Sequence, residues 1–191
     1  MNRWKFSFFV LAGLVAAAFA ALIVLLGVSS ESAPLPKMEV PDRTDHVLTL
    51  TATKEDLEGI ANTYIQKAVN GEPLPVTMEI GDDVVLISEL NIFSFTLPVL
   101  MHFDPIVQQD GNLILKQSSM EIGQLNIQPA VVLKILRDSV KLPEWMIVRP
   151  EEEELFINLS EIPLSDNLQI KAKTFNLADD EINFEIYIPK E

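Results

Sequence analysis

An α+β domain carried behind an N-terminal transmembrane helix is the architecture this sequence predicts, and three observations predict it. Residues 6–28, "FSFFVLAGLVAAAFAALIVLLGV", contain no charged side chain. Two later segments, beginning near Thr53 and Pro129, repeat their apolar residues at helical spacing. Most of the chain between and after them alternates apolar with polar residues and is punctuated by Gly, Asn, Asp and Pro. That is the pattern of an antiparallel sheet with one wet face and one greasy face. The expected body is a long curved antiparallel sheet packed with two helices. The chain then divides into a cytoplasmic N-terminus at 1–5, an anchor at 6–28, a Pro-rich extracytoplasmic linker at 29–45 and an extracytoplasmic α+β domain at 46–191.

As a helix, the first apolar run would extend about 35 Å, slightly more than the roughly 30 Å hydrocarbon core of a bilayer. Arg3 and Lys5 precede it and Glu31 follows it. Positive charge is retained on the cytoplasmic side, so the bulk of the chain is expected outside a cell membrane that it crosses once. Trp4 sits at the interface position. The competing reading is a cleaved signal peptide, whose apolar region usually has about 7–15 residues. This run is longer, although Ser30, Ser32 and Ala33 would suit a peptidase, so cleavage stays open. Pro34, Pro36 and Pro41 deny helix to the segment that follows and make it a stiff spacer.

In the body, "HVLTLTA" at 46–52 reads as a strand. Thr53 is a natural N-cap, and Asp56 completes an acidic variant of the capping box. Leu57, Ile60, Ala61, Tyr64, Ile65 and Ala68 then give a helix one apolar face, and Asn70-Gly71 ends it. "VTMEIGDDVVLISEL" is a hairpin turning at Gly81-Asp82-Asp83. Asp110-Gly111 marks a second turn and Gly123 a turn or bulge. Pro98 and Pro105 argue for an edge position or a break.

The segment "IGQLNIQPAVVLKILRDSVKLPEWMIV", 122–148, holds the second helix. Pro129 suits its first turn and Pro143 stops it. Lys134, Asp138 and Lys141 form a narrow polar stripe, and Val131, Val132, Leu133, Ile135, Leu136 and Val140 fill most of the remaining circumference. That exceeds the apolar arc of about 100° that a helix lying on a sheet requires. Beyond it, Leu155, Ile157 and Leu159 share a face. So do Leu168, Ile170 and Ala172, with Gln169, Lys171 and Lys173 opposite. Ile182, Phe184, Ile186 and Ile188 point inward, and turns fall at Asp166-Asn167 and Asp179-Asp180.

Composition excludes several functions. With 14 Lys+Arg against 28 Asp+Glu and a net charge of −14, the protein repels polyanions and is no nucleic-acid binder. For the same reason it does not lie on anionic lipid by charge alone. Without Cys it has no disulfide, thiolate metal site, Cys nucleophile or acylated N-terminal Cys. His102 and Asp104 share a strand face and could hold a metal weakly, but catalytic sites usually need three protein ligands, so a surface pair is the simpler reading. His46 reads as solvated. The chain has no Gly-x-Ser-x-Gly elbow, no Ser-x-x-Lys set and no phosphate cradle. "PEEEEL" at 150–155 lacks the spacing of a calcium loop and reads as a solvated acidic turn before an edge strand. Asn158-Leu-Ser160 matches a glycosylation triplet but lies in a predicted strand. No cofactor and no enzyme activity is expected, with an envelope hydrolase as the minor alternative.

The anchor, "LTLTATKEDLEGIANTYIQ" and "IGQLNIQPAVVLKIL…LPEWM" together resemble the YpmS-like proteins of Gram-positive bacteria, over nearly the whole chain. The resemblance implies location and fold rather than an activity, and brings no catalytic residues with it. Some relatives are described as lipoproteins, and this chain departs from them in having no Cys to acylate. At fold level the pattern is similar to tubular lipid-binding domains, where a bent sheet wraps a helix and leaves an apolar groove.

Two roles follow as expectations. One is a membrane-tethered binder of lipid or another amphiphile, its apolar ligand lined by Leu133, Leu136, Val140, Trp145, Ile170 and Phe184. Those residues could equally fill a packed core. The other role is a non-catalytic scaffold docking a cell-envelope protein through an edge strand or the acidic face.

Overall fold

The computed structural model describes residues 14–17, 34–36, 46–68, 75–92, 95–123, 128–139, 142–164 and 168–188. The chain separates into two compact units, 1–31 and 32–191. In the first, residues 14–17 are helical, with Leu14 and Val15 exposed. Among the described residues no helix is long and apolar enough to cross a membrane. The remainder of the expected anchor, and all of the linker except 34–36, lie outside them.

The second unit is α+β. Its elements are β1 His46–Ala52, α1 Lys54–Ala68, β2 Val76–Ile80, β3 Val84–Ile92, β4 Phe95–Val107, β5 Leu113–Ile122, α2 Pro129–Ser139, β6 Met146–Arg149, β7 Glu154–Ile157, a 3-10 turn Leu159–Glu161, β8 Gln169–Asn176 and β9 Glu181–Ile188. The strands do not form the single long sheet expected. They divide into a curled six-stranded sheet, β2-β3-β4-β5-β7-β6, and a three-stranded one, β1-β9-β8. All the pairings are antiparallel. The first strand of the body is thus paired with the last, His46 opposite Ile188 and Ala52 opposite Ile182.

Local chemistry fixes most of the boundaries. Thr53 Oγ1 accepts a hydrogen bond from the Asp56 amide at 3.1 Å and donates to Asp56 Oδ2 at 2.9 Å, which is the capping arrangement expected before α1. Ile80 faces Val84 across the turn 81–83. Gly111, at φ +85, turns the chain between β4 and β5. A Cβ there would lie 2.5 Å from Lys171 Cβ, and the Gly111 carbonyl accepts from the Ala172 amide at 2.7 Å. That bond ties the turn of the large sheet to an edge of the small one.

Pro98 and Pro105 both lie within β4, which is an interior strand, yet the rule behind their expected edge position is obeyed locally. Pro98 faces Glu89 of β3 at a level where the β5 ladder has not begun. Pro105 faces Leu115 of β5 beyond the end of the β3 ladder. Each proline, lacking an N–H, sits where the described ladders flank β4 on one side alone. A register shift between His102 and Phe103 leaves Ser118 as the extra residue of β5.

The core gathers the inner faces of both sheets. Val84, Leu86, Val99, Met101, Phe103, Leu113, Leu115 and Leu155 meet Val132, Leu133 and Leu136 of α2 and Ala172, Ile182 and Phe184 of the small sheet. Leu57, Ala61 and Ile65 of α1 pack against this cluster. The broad apolar arc of α2 is used in part, since Val131 and Ile135 remain half-buried beside three buried neighbours.

Three expectations on polar residues are corrected. The acidic run before β7 is not simply solvated, and β7 is not an edge: it lies between β5 and β6. Glu154 is buried and bonded to Arg149, whose other nitrogen reaches Glu152 at 2.9 Å. Across four strands the ladder aligns Asp104, Lys116, Glu154 and Arg149 in alternating charge. Such pairing is what allows a carboxylate to leave water. The adjacent row is Ile106, Ile114, Phe156 and Ile147, and Phe156 is buried on the face expected to be wet. Lys171, expected on the polar face of β8, is also buried, its ammonium 5.7 Å from the Tyr187 ring centroid. Asn158 is buried at the start of the 3-10 turn rather than in a strand.

Candidate functional site

The inner face of the small sheet does not stop where the core stops. Ladder register places Ala52 opposite Ile182, Leu50 opposite Phe184, and Leu48 opposite Ile186. On the other side of β9, Ala172 faces Phe184 and Ile170 faces Ile186. Because side chains alternate along a strand, Leu48, Leu50, Ile170 and Ile186 all share the face that carries buried Ile182 and Phe184. Burial fades along this face. Ile182 is 0 % exposed and Phe184 5 %, whereas Leu50 is 46 % and Leu48 57 % exposed. Ile170, Ile186 and Ile188 are half-buried. The result is an apolar wall continuous with the core and open at its far end, the end at which the chain enters β1.

A second apolar surface borders the fold on α1. Ile60 is 55 % and Tyr64 37 % exposed, on the flank of the same apolar face that carries Leu57, Ala61 and Ile65. Tyr64 meets half-buried Trp145 edge to face, with ring centroids 5.9 Å apart, and Lys67 lies 5.5 Å over the Tyr64 ring. This aromatic pair joins α1 to the segment that follows α2.

The residues expected to line an apolar ligand separate into three groups. Leu133, Leu136 and Phe184 are buried within the core cluster. Ile170 stands on the open wall, and Trp145 stands at the aromatic pair. Val140 lies outside the described residues. Leu48 and Leu50 were missed by sequence reasoning. Their signal was the alternation of β1 itself, but that signal acquires meaning only once β1 is known to pair with β9.

Polar groups supply positioning rather than obvious chemistry. His102 Nδ1 lies 2.7 Å from Asp83 Oδ2. Its partner comes from the β2–β3 turn and is not Asp104, the neighbour considered from sequence. Among the described residues no group of three or more His, Asp or Glu side chains is placed to hold a metal. His46 opens β1 and is exposed. On the outer face of the small sheet, Glu185 accepts from Lys173 Nζ at 2.9 Å and from Tyr187 Oη at 2.8 Å. The hydrogen bond from Lys173 is the main cause, and that from Tyr187 the second, of a carboxyl held below its ordinary value.

Comparison with known proteins gives a concordant picture. A family model described as "Uncharacterized protein conserved in bacteria (DUF2140)" matches residues 2–188. The chain is also similar to "Uncharacterized protein YpmS" of Bacillus subtilis (strain 168), at 30% identity over 194 residues that cover 100% of both chains. No solved structure matches it.

Proposed function

The chain belongs to the uncharacterised bacterial family DUF2140, and on that premise we propose a membrane-anchored extracytoplasmic protein whose body receives the apolar part of a lipid or another amphiphile. The observation that carries this reading is the open apolar wall. Leu48 and Leu50 project from the same sheet face as buried Phe184 and Ile182, yet remain about half uncovered. A core-facing surface left in water costs free energy that an acyl chain would recover, at about 0.8 kcal/mol for each methylene buried, before ordering costs are subtracted.

Two further features support it. The uncharged run at 6–28 and the Pro-rich segment after it suit a tether that keeps the body near a bilayer. The body is strongly acidic, so affinity would come from apolar contact and not from attraction to anionic headgroups.

Native mass spectrometry of residues 32–191, expressed without detergent, tests the reading. A population carrying a lipid-sized mass is expected. Leu48→Glu combined with Leu50→Glu should remove that mass while leaving the circular dichroism of the fold intact. Uniformly bare wild-type protein would sink the proposal.

A further inference from the structure

The exposed edge of β1 is the feature that the lipid reading leaves unused. In the sheet order β1-β9-β8, β1 is terminal, and every residue from His46 to Thr51 is exposed. Its outer row of backbone N–H and C=O groups therefore has no strand beside it among the described residues. Other edges in the molecule are managed. On β2, Asn62 of α1 donates to the Met78 carbonyl and accepts from the Met78 amide, both at 2.7 Å, while Glu58 accepts from the Ile80 amide at 2.9 Å. On β8, the Ala172 amide is bonded to Gly111. Strand β6 is only four residues long.

Strand β1 has none of the usual protections. "HVLTLTA" contains no Lys, Arg, Asp, Glu or Pro, and its seven-residue ladder to β9 runs without a bulge. Unbulged, uncharged edges of this kind, with apolar side chains beside them, template the addition of another strand.

We propose that the strand they take is β1 of a second copy, paired antiparallel about a two-fold axis at Thr49. The sequence fits itself in that register. Thr49 faces Thr49 of the partner subunit, Leu48 faces the partner's Leu50, and Val47 faces the partner's Thr51. Faces are preserved, because each pair joins residues of the same parity, so the leucines meet on the inner side and the β-branched residues on the outer side. The interface is isologous and closes after two copies. Charge favours this location: two molecules of net charge −14 repel over most of their surfaces, and β1 offers a contact without carboxylates. The pairing uses the strand's edge, whereas lipid would meet the face that carries Leu48 and Leu50, and the two readings have separate tests.

A protein without Cys allows a direct test on the full chain in detergent micelles. Opposed residues in an antiparallel pair bring Cα atoms to about 4.5–5.5 Å, within disulfide range. Thr49→Cys should therefore yield covalent dimers under mild oxidation, and Thr77→Cys, on the covered β2 edge, should not. Thr49→Lys, which places like charges opposite one another on the outer face, should weaken the dimer about fivefold, and mixing it with Thr49→Glu should restore association. Equal cross-linking at positions 49 and 77, no recovery in the mixed pair, or a Thr49→Cys adduct in intact cells whose mass is not twice that of the chain would overturn self-pairing.

Discussion

Thr53 shows how much a single side chain can set. Its hydroxyl bonds both the Asp56 amide and carboxylate, so a single residue separates the end of β1 from the start of α1. Thr53→Ala should cost about 1 kcal/mol, read as a few degrees in thermal unfolding of residues 32–191. Glu185 makes a different residue-scale claim. Its folded carboxyl is held below the ordinary 4.5 by Lys173 first and Tyr187 second. A lowered folded value stabilises the native state above the unfolded value and loses that contribution as pH falls through the folded one. Glu185→Gln should therefore flatten part of the stability loss on acidification below about pH 4.5, measured by urea titration at successive pH. An unchanged slope would refute the assignment.

At the scale of elements, the instructive case is α1 against β2. The helix is only moderately amphipathic, and one flank of its apolar face leaves Ile60 and part of Tyr64 exposed. What docks it is also polar: Asn62 and Glu58 serve three backbone groups on the β2 edge. Asn62→Leu keeps the volume but strands the Met78 N–H and C=O, which should cost about 1–3 kcal/mol. Hydrogen exchange at Met78 should accelerate well beyond exchange at Leu86, a neighbour in the centre of the sheet. The outer face of the large sheet carries a similar lesson. Phe156 and Glu154 are buried there because the strands that flank β7 bring Ile114 and Ile147 beside the ring and Lys116 and Arg149 beside the carboxylate.

The whole molecule combines an uncharged N-terminal run, an acidic body and an apolar wall that ends in the open. If the run is an anchor, the intact polypeptide should sediment with membranes and resist extraction by high salt and carbonate. Protease added to intact protoplasts should digest the body and spare the N-terminus. Recovery of the full-length chain in the cytosol would remove the basis of the proposed location. A lipid held by the wall adds a further expectation, since a ligand that binds the native state raises its unfolding midpoint as its concentration rises.

Local signals settled the helices, the hairpin turn at 81–83, the turn at Gly111 and the inward rows of β8 and β9, because capping, positive φ and alternating burial act over a few residues. The same signals could not divide the strands into two sheets. Nothing within "HVLTLTA" says that its partner is Glu181–Ile188; that choice is made by the core assembling between them. For the same reason the burial of Glu154, Lys171 and Phe156 is not legible in the sequence, since cover depends on which strands arrive as neighbours. Composition and periodicity determined the class of protein: an apolar leader, no cysteine chemistry, and an acidic α+β body. Only the tertiary pairing decided where apolar surface is left over, because exposure belongs to the arrangement of distant segments and not to any one of them.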